Sequence, residues 1–244
     1  MMTGKAGDSM ERKARRGFVP SDEKDFGEEA LPVLRKASEE LRFLWDRGYP
    51  VTSTVRFIGD RYQFSERQRL ALARVVSPTE SIASRKSREV GEISGRTLFI
   101  DGFNVIIGLE TAFSQSMLFC CPDGSVRDLA GLRGSYRPIP ETVTALKALL
   151  KALGELGVSR AVIYLDRPVS NSGRLKELID RLAEGTGFET ETVLEDRVDT
   201  VLKGKPLVAS GDAVILDACG EWFALARYVI DTQIGNYPYT DITG

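Results

Sequence analysis

From Thr97 onward, short apolar runs alternate with helix-forming stretches, and each run stops at an acid. Residues 97–100 lead into Asp101, and residues 161–165 lead into Asp166. A weaker run at 190–194 leads to Glu195 and Asp196, and residues 206–209 lead through Ser210 and Gly211 to Asp212. Helical patterns fill the gaps at 141–156, 173–184 and 221–230. In the first of these, Leu146, Leu149, Leu150, Leu153 and Leu156 recur at helical spacing, bracketed by Pro140 and Gly157. This alternation predicts a parallel sheet with helices on both faces. Ligands of open α/β sheets bind beyond the carboxyl ends of the strands, where the acids fall.

Histidine is absent from all 244 residues. That removes Ser-His-Asp triads, Cys-His pairs, imidazole acid/base chemistry and almost every zinc enzyme site. Neither a GxxxxGK[ST] nor a GxGxxG fingerprint occurs. Any chemistry at neutral pH therefore falls to carboxylates, metals, lysines or hydroxyls. The three cysteines comprise the adjacent Cys120–Cys121 pair and a distant Cys219, which is no disulfide framework and suits a reducing cytoplasm. No apolar run reaches bilayer length. Residues 1–20 are polar and basic without an apolar core, so they read as a disordered tail and not a secretory signal.

Charge divides the chain. Residues 1–96 carry 19 Lys/Arg against 15 Asp/Glu, while residues 97–244 carry 14 against 20. The mildly basic part, 21–92, reads as a helical module. Leu31, Leu34, Leu41, Leu44 and Trp45 form one stripe, Pro32 suits a first turn, and Gly48 and Pro50 end the helix. A capping box, Ser65 with Gln68, opens a second helix expected to bury Leu70, Leu72 and Val75 or Val76. Its other face carries Arg67, Arg69 and Arg74, and the segment 78–90 adds Arg85, Lys86 and Arg88. These arginines could track a phosphate backbone, although interleaved acids also suit a solvated face. Residues 91–95 read as a linker.

One stretch interrupts the α/β pattern. Residues 109–139 stand between the first strand and its return helix, and such an insertion is typical of a lid or substrate loop. It holds Arg127, Arg133, Tyr136 and Arg137. These four, with Arg167 beside Asp166, are candidate substrate-binding residues, Tyr136 by stacking a base. A lid without substrate contact is the alternative.

Any one strand-end aspartate could be a helix cap or turn residue. Several together imply more, because converging carboxylates repel unless protonated or bridged by a cation. Oxygen ligands without imidazole point to Mg²⁺ or Mn²⁺. The candidate ligands are Asp101, Asp166, Asp196, Asp199, Asp212 and Asp217.

The motif Ile100-Asp101-Gly102-Phe103-Asn104-Val105-Ile106 resembles the opening of PIN-like nucleases, in particular their NYN branch. Tyr164-Leu165-Asp166, Glu195-Asp196-Arg197-Val198-Asp199 and Val208-Ala209-Ser210-Gly211-Asp212 resemble that family's later acidic elements, in order, over residues 97–231. The chain departs from the family pattern at Phe103, at Asp217, which comes later than the usual second acid, and at the 109–139 insertion. The whole chain also resembles prokaryotic proteins that pair such a domain with a helical N-terminal module. The resemblance implies an α/β fold with a parallel-sheet, PIN-like (Rossmann-like) domain at 97–244. It further implies metal-dependent hydrolysis of RNA phosphodiester bonds. Asp101, Asp166, Asp199 and Asp212 would be the catalytic set, holding one or two cations that bind the scissile phosphate and activate water. Asn104 would orient Asp101 or a metal-bound water, and Ser210 would support Asp212.

Two alternatives stand beside this reading: a catalytically silent RNA-binding or regulatory protein, and a metal-dependent phosphatase of a small molecule. RNA is the expected partner, self-association into a homo-oligomer is left open, and no membrane partner is expected.

Overall fold

The computed structural model describes residues 15–132 and 134–244. Five helices come first: α1 (Asp22–Asp25), α2 (Leu31–Trp45), α3 (Val51–Arg61), α4 (Glu66–Val75) and α5 (Thr79–Arg88). Then follow β1 (Thr97–Asp101), α6 (Gly102–Phe113), the strands β2 (Leu118–Cys120) and β3 (Val126–Asp128), and α7 (Thr142–Glu155). The chain continues through β4 (Arg160–Asp166), α8 (Ser172–Ala183), β5 (Glu189–Glu195) and α9 (Val198–Lys203). It closes with β6 (Leu207–Ala209), α10 (Ala213–Leu216), β7 (Glu221–Trp222) and α11 (Leu225–Gln233). No helix among the described residues is long and apolar enough to cross a membrane.

The main sheet has the order β5-β4-β1-β6-β7, and every neighbouring pair is parallel. Residue alternation splits the core as a two-faced sheet requires. Leu98, Ile100, Ala161, Ile163 and Ala209 pack on one face with α6, α7, α8 and α11. Val162, Tyr164 and Val208 pack on the other with Val198, Leu202, Ile215 and Trp222. From β1 the chain proceeds to β4 on one side, whereas from β6 it proceeds to β7 on the other. The crevice between the ends of β1 and β6 is thus the topological switch point.

In the helical module, α2 buries Leu34, Leu41 and Trp45 and carries Pro32 in its first turn. The capping box of α4 forms, with Ser65 Oγ accepting from Gln68 N–H at 3.1 Å and Gln68 Oε1 accepting from Ser65 N–H at 3.0 Å. Leu70 differs from expectation: it is 37% exposed, and Ala71 and Leu72 take the core positions. The α3 helix turns Val55 and Ile58 to the module core. Trp45 also anchors it, donating its indole N–H to Thr54 at 2.7 Å.

The insertion is not a free lid. Its first residues finish α6, and β2 and β3 then form an antiparallel hairpin. Phe119, Cys121 and Leu129 from this hairpin are buried in the module's own core, where Phe119 meets Phe26 edge-on at 5.1 Å. Apolar residues in the insertion therefore join the two parts. The linker is also pinned: Ile93 is buried, and Val90 N–H donates to the Trp222 carbonyl at 2.9 Å. Residues 221–222 are a strand and not the start of a helix, because Trp222 fills the core beside β6 and donates Nε1–H to the Arg85 carbonyl.

Residues 1–14 of the expected tail lie outside the described residues. Its remainder is tied down, since Arg16 pairs with the fully buried Glu110 at 2.7 Å and the Gly17 carbonyl accepts from Arg67 at 2.6 Å.

Candidate functional site

The β1 strand delivers Asp101 to the switch-point crevice, where its carboxylate is 6% exposed and caps α6. Gly102 follows because α6 starts hard against β4: a Cβ there would lie 2.6 Å from the Tyr164 carbonyl oxygen. The end of β6 turns through Ser210 and Gly211 to Asp212, which caps the short α10 by accepting from Val214 N–H at 2.7 Å. A Cβ on Gly211 would meet the Val126 carbonyl oxygen at 2.7 Å, so this glycine lets the hairpin approach the turn.

Asp101, Asp166, Asp199 and Asp212 all line one cavity of about 500 Å³ at the carboxyl edge of the sheet. Burial raises the Asp101 carboxyl to a pKa of about 7. Hydrogen bonds from Ser210 and Asn104 oppose that rise, and the charges of Asp212 and Asp199 add to it. The Asp166 carboxyl is also raised, first by burial and then by the Asp199 charge. These acids sense one another across the cavity. Among the described residues, however, no three of them converge to the bonding distance of a single ion.

The donor set is all oxygen and suits a hard divalent cation. Mg²⁺ commonly uses one or two carboxylates and completes its shell with water and substrate oxygens, so a three-carboxylate cage is not needed. On that chemistry one or two of Asp101, Asp166, Asp199 and Asp212, with water completing the shell, would suit such a cation.

Ser210 touches Asp212, as expected, and Asp101 as well, whereas the Asn104 side chain serves a different residue. Ser210 Oγ donates to Asp101 Oδ2 at 2.8 Å and accepts the Asp212 N–H at 3.0 Å. Asn104 gives only its backbone N–H to Asp101, while its side-chain oxygen accepts Gly211 N–H at 2.7 Å. Asn104 therefore fixes the turn that bears Asp212.

Several expected site residues lie elsewhere. Asp217 sits at the end of α10 in a two-pronged pair with Arg85, at 2.6 and 2.8 Å, and does not face the cavity. Asp196 is exposed and pairs with Arg167 at 3.1 Å, which removes both from the cavity. Tyr136 is fully buried and donates its hydroxyl to Glu110, so it cannot stack on a base. Arg137 is exposed away from the cavity, and Arg133 lies outside the described residues.

Arg67 and Arg69 are also committed within the protein. Arg67 grips Asp22 at 2.8 and 2.9 Å and the carbonyls of Leu129 and Gly17. Arg69 bonds Asp60 and the Phe64 and Arg56 carbonyls. The next basic helix is likewise used internally: Arg85 is 2% exposed, and Arg88 bonds the Cys219 and Leu216 carbonyls. The arginine-rich faces are thus largely intramolecular seams. A sequence read one helix at a time does not reveal partners such as Asp22 for Arg67 and Asp217 for Arg85, which lie 45 and 132 residues away along the chain.

Arg74 and Arg127 are different, because both line the cavity. Asp128, which no strand-end or acidic-motif signal marks in the sequence, joins them there; burial raises its carboxyl despite the nearby Arg74. The thiols offer no nucleophile: Cys121 is pushed up to about 11 by burial, and Cys120 and Cys219 are raised by the same cause.

Comparison with known proteins adds relationships to this geometry. The "Uncharacterized protein MJ0935" of Methanocaldococcus jannaschii is 32% identical over 200 residues, covering 81% of this chain and 93% of its own length. No solved structure matches the chain. Residues 33–88, within the helical module, match the family "Protein of unknown function (DUF434)". Residues 90–228, which hold the sheet and the acidic cavity, match "Domain of unknown function (DUF5616)", and the chain belongs to that family.

Proposed function

We propose that this protein is a divalent-cation-dependent phosphodiester hydrolase acting on RNA, with its site on Asp101, Asp166, Asp199 and Asp212. The observation that carries the reading is the gathering of these four carboxylates in one cavity at the switch point of a parallel sheet. Burial, with a smaller push from the Asp212 and Asp199 charges, holds the Asp101 carboxyl at a pKa of about 7, which disfavours the full set of charges without a counter-cation. The order of acidic motifs, which resembles that of PIN-like and NYN nucleases, supplies RNA as the substrate.

When bound, Mg²⁺ or Mn²⁺ would polarise a phosphoryl oxygen and lower the pKa of water at neutral pH. The chain's own residues do the positioning. Asp101 and Asp212 are held in register by the shared Ser210 hydroxyl, and Asn104 fixes the turn between them through Gly211. Asp166 approaches from β4, on the other side of Asp101, and Asp199 from α9, which packs against β1, β4 and α10.

The test is Mn²⁺-dependent cleavage of single-stranded and structured RNAs by the full chain, with Asp101→Asn as control. Cleavage abolished by chelator and by the substitution supports the reading. A folded protein that cleaves no RNA with Mn²⁺ overturns it.

A small phosphoester is the second reading, favoured by one observation. The cavity is walled on one side by Arg127, Asp128, Ala130 and Leu132, which leaves a compartment of about 500 Å³. Turnover of p-nitrophenyl phosphate without RNA cleavage would select it.

A further inference from the structure

We propose that Arg74, supplied by the helical module, is a phosphate-binding residue of the acidic cavity and receives a phosphate of a nucleotide-sized substrate. This deepens the phosphodiester reading and rests on it.

The first observation is position. On α4, Ala71, Leu72 and Val75 face the module's core, while Ala73 and Arg74 line the cavity. The module therefore forms one wall of the site, facing a floor of strand-end carboxylates.

The second is commitment of donors. Arg74 and Arg127 are the cations among the described residues that line this cavity. Arg127 spends all three of its nitrogens on protein: Nε on the Gly211 carbonyl at 2.8 Å, Nη1 on the Arg74 carbonyl, and Nη2 on Asp123 at 3.2 Å. Arg74 spends only Nη1, on the Asp128 carbonyl at 2.7 Å and more weakly on that of Ala130. Among the described residues its Nε and Nη2 meet no acceptor, and its side chain is 36% exposed. The nearest carboxylate, Asp128, lies 3.9 Å from Nη1, on the edge already used. An arginine edge with two parallel donors is the geometry that grips a phosphate.

The third is rigidity. Arg127 bridges the carbonyls of Arg74 and Gly211, so one guanidinium sets the spacing between Arg74 and the turn bearing Asp212. A phosphate can span that gap by offering one oxygen to Arg74 and another to a cation on the carboxylates. Ala130 and Leu132 give the cavity an apolar flank for the base of a nucleotide. The role of the module is then to complete the site, consistent with the internal use of Arg67, Arg69, Arg85 and Arg88.

The probes are adenosine 5′-monophosphate and adenosine, titrated calorimetrically into the full chain with and without MgCl₂. Arg74→Ala and Arg74→Gln serve as variants, and their melting is measured in parallel. We expect wild type to bind the monophosphate more tightly than the nucleoside. Both variants should lose about tenfold to a hundredfold for the monophosphate alone, and Arg74→Lys should recover part of it. Unchanged monophosphate affinity in a folded Arg74→Gln protein overturns the proposal, as does a wild type that does not distinguish the two ligands. The hydrolysis reading fails separately: monophosphate binding through Arg74 without RNA cleavage leaves this subsite standing. Cleavage that persists with unchanged KM and monophosphate affinity in the variants removes the subsite alone.

Discussion

The Ser210 hydroxyl donates to the buried Asp101 carboxylate at 2.8 Å, joining the ends of β6 and β1, neighbours in the sheet but 109 residues apart in the chain. The same oxygen accepts the Asp212 N–H, so one hydroxyl ties two carboxylate-bearing segments across the switch point. The acidic cavity is built around this link.

Asp101 should make the cation-free protein less stable as pH rises. Burial puts its folded pKa, about 7, above the ordinary 3.8, so the folded state binds more protons between those values. Stability is then fully present below about pH 4 and is lost up to about pH 7, by on the order of 4 kcal/mol from this residue. Asp101→Asn should remove this slope in urea unfolding followed across pH with chelator present. An unchanged slope would show that Asp101 is not its source.

Divalent cations should stabilise the wild type more at pH 8 than at pH 5, because the carboxylates must be ionised to bind. At a hundredfold excess over Kd, Mn²⁺ should raise Tm by about 5–10 °C. Asp101→Asn should lose most of that rise. A Tm indifferent to Mn²⁺ in the wild type would refute the cation site.

Asp212→Asn should separate chemistry from folding. Asparagine can still cap α10 through its side-chain oxygen, so stability should change by less than about 1 kcal/mol. Metal-dependent turnover should fall by at least about a hundredfold, since residues merely supporting metal ligands can cost that much. Unfolding of this variant would mark Asp212 as a structural cap alone.

Arg85→Met should destabilise the whole chain by about 3–5 kcal/mol, since it breaks the fully buried pair with Asp123, while the half-exposed Asp217 can turn to water. Chemical denaturation reads this directly. A change below about 1 kcal/mol would mean that the ion pairs joining α5 to the hairpin and α10 contribute little.

Arg67→Glu should act through folding and not through nucleic-acid affinity. It places a carboxylate against Asp22, whose partner it was, in a part-buried seam. Early melting is the expected outcome. A variant that melts normally yet loses RNA binding would return Arg67 to a contact role.

The sequence by itself determined the alternation of strands and helices, the capping box at Ser65, and the arrival of acids at strand ends. Each is a local signal: periodicity, a reciprocal cap and a chain stop are encoded within a few residues. The same local reading placed Asp101, Asp166, Asp199 and Asp212 at the sheet's carboxyl edge, where they do share a cavity. It could not tell them from Asp217 and Asp196, because each partner arginine is distant in the chain: Arg85 lies 132 residues from Asp217, and Arg167 lies 29 from Asp196. Nor could it show that Tyr136 would point inward to Glu110, or that the 109–139 insertion would give Phe119 to the helical module. Only the tertiary structure decided which charges are neutralised at seams and which remain facing the cavity. Pairing of charges depends on three-dimensional proximity, and a linear pattern of residue types does not contain it.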